Sequence, residues 1–485
     1  MKKTILCLTL IYSFFNIDID ARVLPQDVIW NNDETGYYTI DENSIVLVST
    51  IGKKDRKILS SEDVKNKKIE SFSFSQDKKN VLIFTNSVRV WRYNTRGNYW
   101  VYNLKTKQGK RLGSTLPDRS LMFAKFSPNG KKIAYVSKEI IPNSFRNSST
   151  RANIYLETVE GNSIVKLTES DEKGKIINGT FDWVYEEEFS CRDGFLFNDN
   201  SDKIAFWQID ANGVKDFLMI NNTDSIYPFN VPVEYPKVGE DLTPARIGVI
   251  DLNSMDVTWM KIPGESNKFY LPRMTWMPNK DKLMIQQLNR KQNHSRYFVA
   301  NADNGSTELL LEDKDEAWID VRNTWPYQDK AGWKFINGGK EFLYTTEKDG
   351  WSHVYRYDIE KREEFLVTKG DYDVIRPLSF DEEKGDIYFI ASPKDPTERY
   401  LYKTSENNEL ELVTPKLLEG THNYQISTKS RYAFHSFSNY YTRPMQGIVT
   451  LPDHDYINKD DDMLSKFNPS LKDSNPLEFF QITTV

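Results

Sequence analysis

One phrase recurs along this 485-residue chain: an aromatic or apolar pair, a polar turn with Lys or Asp, then a run rich in β-formers. It reads FSFSQDKKNVLIFT from Phe72, FAKFSPNGKKIAYV from Phe123, FLFNDNSDKIAFWQ from Phe195 and MTWMPNKDKLMIQQ from Met274. It returns as WKFINGGKEFLYTT from Trp333, PLSFDEEKGDIYFI from Pro377 and YQISTKSRYAFHSF from Tyr424, with a looser copy, YYTIDENSIVLVST, from Tyr37. Two strands across a turn of Asn, Asp, Gly and Ser are the signature of a β-hairpin. Further strands lie between the copies, such as YWVYNL at Tyr99–Leu104 and HVYRYD at His353–Asp358. A hairpin with two more strands makes one blade of a propeller, and stacked sandwiches rarely repeat one phrase so often. The expected fold is all-β: an eight-bladed β-propeller of four-stranded antiparallel blades.

Composition fits this reading. Aromatic residues make up 13% of the chain, and Phe and Tyr favour strands. The net charge of −6 comes with scattered Lys and Arg, so the basic stripe of a nucleic-acid binder is missing. At the N-terminus, Lys2 and Lys3 precede an apolar run from Ile5 to Phe15, and Ala21 offers a small residue for cleavage. Residues 1–21 are expected to be a secretory signal peptide, placing the protein in the periplasm or outside the cell; an uncleaved N-terminal membrane anchor is the alternative. The two cysteines are Cys7 and Cys191, so removal of the leader leaves no intramolecular disulfide. Cys191, without metal-ligand spacing, is expected to be a small buried hydrophobe. At the other end NKDDDMLSKF reads as a short helix, and LEFFQITTV as a strand that stops without a turn, as in a truncated chain.

No nucleophile machinery stands out. The nearest approach to G-x-S-x-G is GWSHV at Gly350–Val354, which lacks the second glycine and reads as a hairpin turn. The five histidines, His294, His353, His422, His435 and His454, show no metal spacing and are expected to be structural. His435 adjoins Ser436, but neighbours on a strand point to opposite faces. No phosphate loop, cofactor motif or metal site is expected.

The chain between the Phe123 and Phe195 copies contains FDWVYEEEFS, Phe181–Ser190. Two readings stand. Asp182 could cap a short inserted helix, with glutamates in its first turns complementing the helix dipole. Alternatively Glu187 and Glu188, about 100° apart on a helix, could lean over one edge and converge on an ammonium group, which has three donors and no acceptor.

DWVYEEEF closely resembles the D-W-V-Y-E-E-E segment of the dipeptidyl peptidase IV group of the prolyl oligopeptidase family. In that family the second and third glutamates bind the free N-terminal amine of the peptide, which implies the same for Glu187 and Glu188. VRVWRYNTRGNYWVYNL is similar to the family's Q-W-R-H-S strand pair, whose arginine organises the glutamates and contacts the substrate carbonyl; that residue is Arg92. The resemblance implies an exported enzyme that removes N-terminal dipeptides of Xaa-Pro type. Its propeller, residues 22–450, would be followed at 451–485 by a linker and the start of an α/β-hydrolase domain. The serine, histidine and aspartate of the triad lie in that further domain, so no catalytic residue is assigned and no turnover is expected from this chain alone. The expected partners are a peptide with a free N-terminus and a hydrolase domain supplied by a longer or separate chain. A prolyl tripeptidyl peptidase, a standalone peptide-binding propeller and a non-functional gene fragment are the alternatives.

Overall fold

The structure, a computed structural model, describes residues 28–457 except 91, 141–149, 322–324, 326–330, 405–408 and 441–443, together with 480 and 482. The expected leader and the helix expected near the C-terminus lie outside the described residues, and of the strand expected there only Phe480 and Ile482 are described, neither of them in a strand.

Almost all regular structure is β, arranged as antiparallel meanders in which successive strands pair in sequence order. Four-stranded units span residues 29–59, 71–111, 121–166, 269–314, 333–366 and 374–412, the second and third joined into one eight-stranded sheet where Gly97 pairs with Leu121. The unit at 176–259 has five strands and the last, at 421–450, has three among the described residues. Each hairpin phrase of the sequence forms two adjacent strands. In the copy at Phe72 the strands Ser71–Phe74 and Asn80–Val90 pair, with Ser75 Oγ accepting from Asn80 N at 3.0 Å. The same closure recurs at Ser127 with Lys132 N and at Ser427 with Tyr432 N. The turn needs one left-handed residue, which is Lys78, Gly130 or Ser430 in these copies.

The second strand of each hairpin is covered on both faces, so it reads as an apolar run rather than an alternation. Ile387–Ala391, for example, is buried at every position. The core is divided accordingly. Tyr38, Ile45 and Leu59 of the first sheet pack on Phe72, Val81 and Ile83 of the second, and similar clusters join each sheet to the next. A further cluster joins the last sheet to the first, through Val28, Trp30, Phe434 and Ile448. Beside it Glu34, fully buried, accepts from Ser427 Oγ at 2.9 Å, Thr428 Oγ1 at 3.0 Å and Lys429 N at 2.5 Å.

Two features interrupt the repeat, both in the 176–259 sheet. Its first strand is split: Ile176–Asn178 and Phe195–Phe197 both pair with Lys203–Asp210. The chain leaves at Gly179 and returns at Gly194, whose N–H donates to Gly179 O at 3.0 Å. A Cβ on Gly194 would lie 2.8 Å from the Gly179 carbonyl carbon, and Gly179 has φ +70°, so this pinch requires glycine on both sides. The second interruption is an unforeseen hairpin, Asp216–Asn221 with Phe229–Glu234, that exposes Phe217, Leu218, Met219 and Ile220.

Candidate functional site

Between the two halves of the split strand lies the helix α1, Trp183–Phe189. Asp182 caps it: its carboxylate accepts from Tyr185 N at 3.1 Å and from Thr243 Oγ1 at 2.6 Å. Burial raises the Asp182 pKa despite these donors. Ser190 ends the helix in the left-handed conformation. Tyr185 and Phe189 face inward beside Phe181 and Tyr270, and the Tyr185 hydroxyl accepts from Leu271 N at 2.9 Å. Trp183 packs on Tyr235, just past the extra hairpin, with ring centres 4.5 Å apart. The aromatics of the motif therefore seat the helix, and its glutamates are left at the surface.

The three glutamates have different surroundings. Glu187 is exposed and meets Arg92, with Nη2 to Oε1 at 2.7 Å. Glu188 is also exposed and makes no ion pair among the described residues; its charge is felt by the Tyr270 phenol, whose pKa burial raises first and Glu188 raises further. Glu186 is half-buried and lies 3.7 Å from Arg192 Nε. Burial raises its pKa, against the pull of Arg192 and Lys138. Lys138 responds in the opposite sense, lowered by burial and by Arg96.

Arg92 arrives from another sheet. Strands Asn80–Val90 and Tyr93–Asn103 are 11 residues each, longer than the other strands of their unit, and their tip carries Arg92. The structure thus brings Arg92 and Glu187 together across 95 residues of sequence. A cavity of about 350 Å³ opens beside them, lined by Arg92, Tyr93, Trp183, Glu186, Glu187 and Ser190. Next to it a second cavity of about 380 Å³ shares Tyr93, Glu186 and Ser190, and is walled by Phe123, Trp207 and Arg273. A cleft with fixed carboxylates at its rim and aromatic walls suits a cationic group on an organic ligand.

Sequence reasoning missed Arg192, whose contacts reach back to the hairpin tip. The signal available was an arginine two residues past the Ser190 cap of the helix. Cys191 is buried in the core, with Sγ 3.2 Å from Pro272 O. Among the described residues no group of three or more His, Cys, Asp or Glu could hold a metal ion, and no helix is long and apolar enough to cross a membrane.

The histidines hold a second polar cluster, in the last sheet. His422 Nε2 lies 2.8 Å from Leu418 O, which can only accept, so that nitrogen carries the proton. His422 Nδ1 then accepts from His435 Nε2 at 2.8 Å, and His435 Nδ1 accepts from the Tyr456 hydroxyl at 2.7 Å. His454 Nε2 meets the Tyr424 hydroxyl at 2.8 Å. Burial pushes the His422 pKa down to about 4, that of His435 well below its ordinary value, and that of His454 in the same direction.

Three comparisons bear on this arrangement. Residues 75–444 match the family described as dipeptidyl peptidase IV (DPP IV) N-terminal region. The inactive dipeptidyl peptidase 10 of Mus musculus is 25% identical over 389 residues, 78% of this chain and 46% of that protein. Dipeptidyl aminopeptidase B of Saccharomyces cerevisiae is 24% identical over 429 residues, 85% of this chain and 50% of its own length. The chain thus spans about half the length of these curated relatives. The crystal structure of Porphyromonas gingivalis dipeptidyl peptidase 4 superposes with a TM-score of 0.80 at 22% identity, covering 93% of this chain and 62% of that one. With a family match over most of its length and the same fold in a solved relative, the chain belongs to the dipeptidyl peptidase IV N-terminal region family.

Proposed function

We propose that this chain is the peptide-recognition part of an exported serine peptidase that removes N-terminal dipeptides. In this reading the sheets close as an eight-bladed propeller over residues 22–450, and residues 451–485 lead into an α/β-hydrolase domain of a longer or separate chain. The peptide's ammonium docks on Glu187 and Glu188. Arg92 keeps Glu187 oriented and offers its remaining donors to a substrate carbonyl. Fixing the amine sets the bond to be cut two residues along, so the site acts by positioning. The observation that carries this reading is the 2.7 Å contact between Arg92 and Glu187 beside the glutamate-lined cavity.

The test compares one peptide with a free N-terminus and the same peptide acetylated. The free form is expected to bind better, and Glu187→Ala to abolish the difference. Equal binding of both forms would sink the proposal. A free peptide amine has a pKa of about 7.7–8.0, so its binding is expected to weaken above that pH as the ammonium is lost.

A second reading is a binding propeller without turnover, and its support is the relative named an inactive dipeptidyl peptidase. Release of dipeptide from an Xaa-Pro substrate by the chain joined to its downstream sequence separates the two.

A further inference from the structure

Arg92 and Glu187 sit on separate sheets, and their contact is exposed, with 70% of the Arg92 side chain and 32% of the Glu187 side chain open to solvent. An exposed pair contributes only about 0.2–1 kcal/mol and holds no fixed geometry by itself. Something else has to keep the hairpin tip beside the helix. No strand ladder does so, because the hairpin belongs to the 71–111 unit and the helix to the 176–259 sheet.

We propose that Arg192 is the positioning residue that straps the Arg92 hairpin tip to the glutamate helix. Its guanidinium lies over the Tyr93 ring at 3.9 Å, and its Nη2 donates to Thr95 Oγ1. Tyr93 follows Arg92 directly and Thr95 lies two residues further along the returning strand. On its other side Arg192 Nε faces Glu186, the residue before Glu187, at 3.7 Å. The neighbouring strand Leu121–Phe126 adds Phe123, whose ring centre is 5.9 Å away. The arginine's own backbone is fixed, since its carbonyl accepts from Thr180 Oγ1 at 2.9 Å within the excursion that holds the helix. One planar cation thus touches the tip by stacking and hydrogen bonding, and the helix by charge. Lysine has the charge but neither the flat face nor the fork. Glu186, which the amine-clamp reading leaves without a role, becomes the helix-side anchor of the strap.

The position of the tip is independent of the amine-clamp reading; only the effect on binding rests on it. Two measurements keep them apart. Amide exchange at residues 93–98 reports the strap, and the preference for free over acetylated peptide reports the clamp. Arg192→Met is expected to speed exchange at the tip and to cut the free-amine preference about tenfold. Arg192→Lys is expected to restore neither. The double variant Arg92→Ala with Arg192→Met should lose no more preference than Arg92→Ala alone, because the strap acts through Arg92. Thr95→Val, a milder change, should move exchange in the same direction by less. Unchanged exchange at the tip in both Arg192→Met and Thr95→Val overturns the proposal, as does strict additivity in the double variant. If the parent protein shows no amine preference, the clamp reading fails and exchange alone decides on the strap.

Discussion

Two polar clusters lie in this molecule, and they are built on opposite rules. At α1 the groups are charged, half or fully exposed, and drawn from separate sheets: Arg92, Glu186, Glu187 and Arg192. In the last sheet the groups are buried and uncharged, and each proton in the chain from Leu418 through His422 and His435 to Tyr456 has one place to be. The first cluster can exchange its partners for a ligand's at little cost to folding. In the second, the bonds from Leu418 through His422 and His435 to Tyr456 are buried and each is matched donor to acceptor, so that chain stabilises the sheet and resists change. Charge near the surface is available for binding, whereas the same titratable chemistry sealed inside is structural.

The largest expected effect comes from breaking the sealed cluster. His435→Ala leaves His422 Nδ1 and the Tyr456 hydroxyl without partners and opens a cavity, a loss of about 3–5 kcal/mol in denaturant unfolding. A loss under about 1 kcal/mol would erase the contrast. Acid is the next probe. The folded pKa of His422 is about 4, below its ordinary 6.5, so as pH falls the unfolded chain takes up the proton first. Stability is therefore complete above about pH 6.5 and is lost as pH falls toward 4, by up to about 1.4 kcal/mol per pH unit for each such histidine. Urea midpoints measured across that range check the sign.

Removing the helix cap is smaller. Asp182→Ala should cost about 1–2 kcal/mol through the lost Tyr185 N–H and Thr243 bonds. Smallest is Glu187→Ala, expected to shift stability by no more than about 0.5 kcal/mol while removing the amine preference. A large stability loss there would mean that the two clusters do not differ as described.

The hairpins were legible in the sequence because their information is local. An apolar run such as IYFIA and a turn such as SPNG each act within a few residues. The glutamate motif was legible by resemblance, and the structure adds the pairing of Glu187 with Arg92. What could not be read depends on distant chain segments meeting. Arg192 finds Thr95 across 97 residues, and the ring of His435 finds Tyr456 across 21. Neither spacing has any local period. The pinch at Gly179 and Gly194 left a faint trace as two glycines flanking the motif, but glycine in a loop has many causes. The hairpin at Asp216–Asn221 lacks the polar alternation of an ordinary surface strand, since DFLMIN exposes successive apolar residues.

The contact between the first and last sheets has a mechanical consequence. Glu34 and its three donors, with Trp30 stacked on Tyr432, fasten two sheets that share no strand among the described residues. Within a sheet a pull along the chain must shear rows of backbone hydrogen bonds, but here it meets packed side chains and the few bonds to the Glu34 carboxylate, with no strand ladder. Tension applied at the two ends should open the molecule there as a clasp opens, leaving every sheet intact, and the clasp can close again without any strand having to be rethreaded.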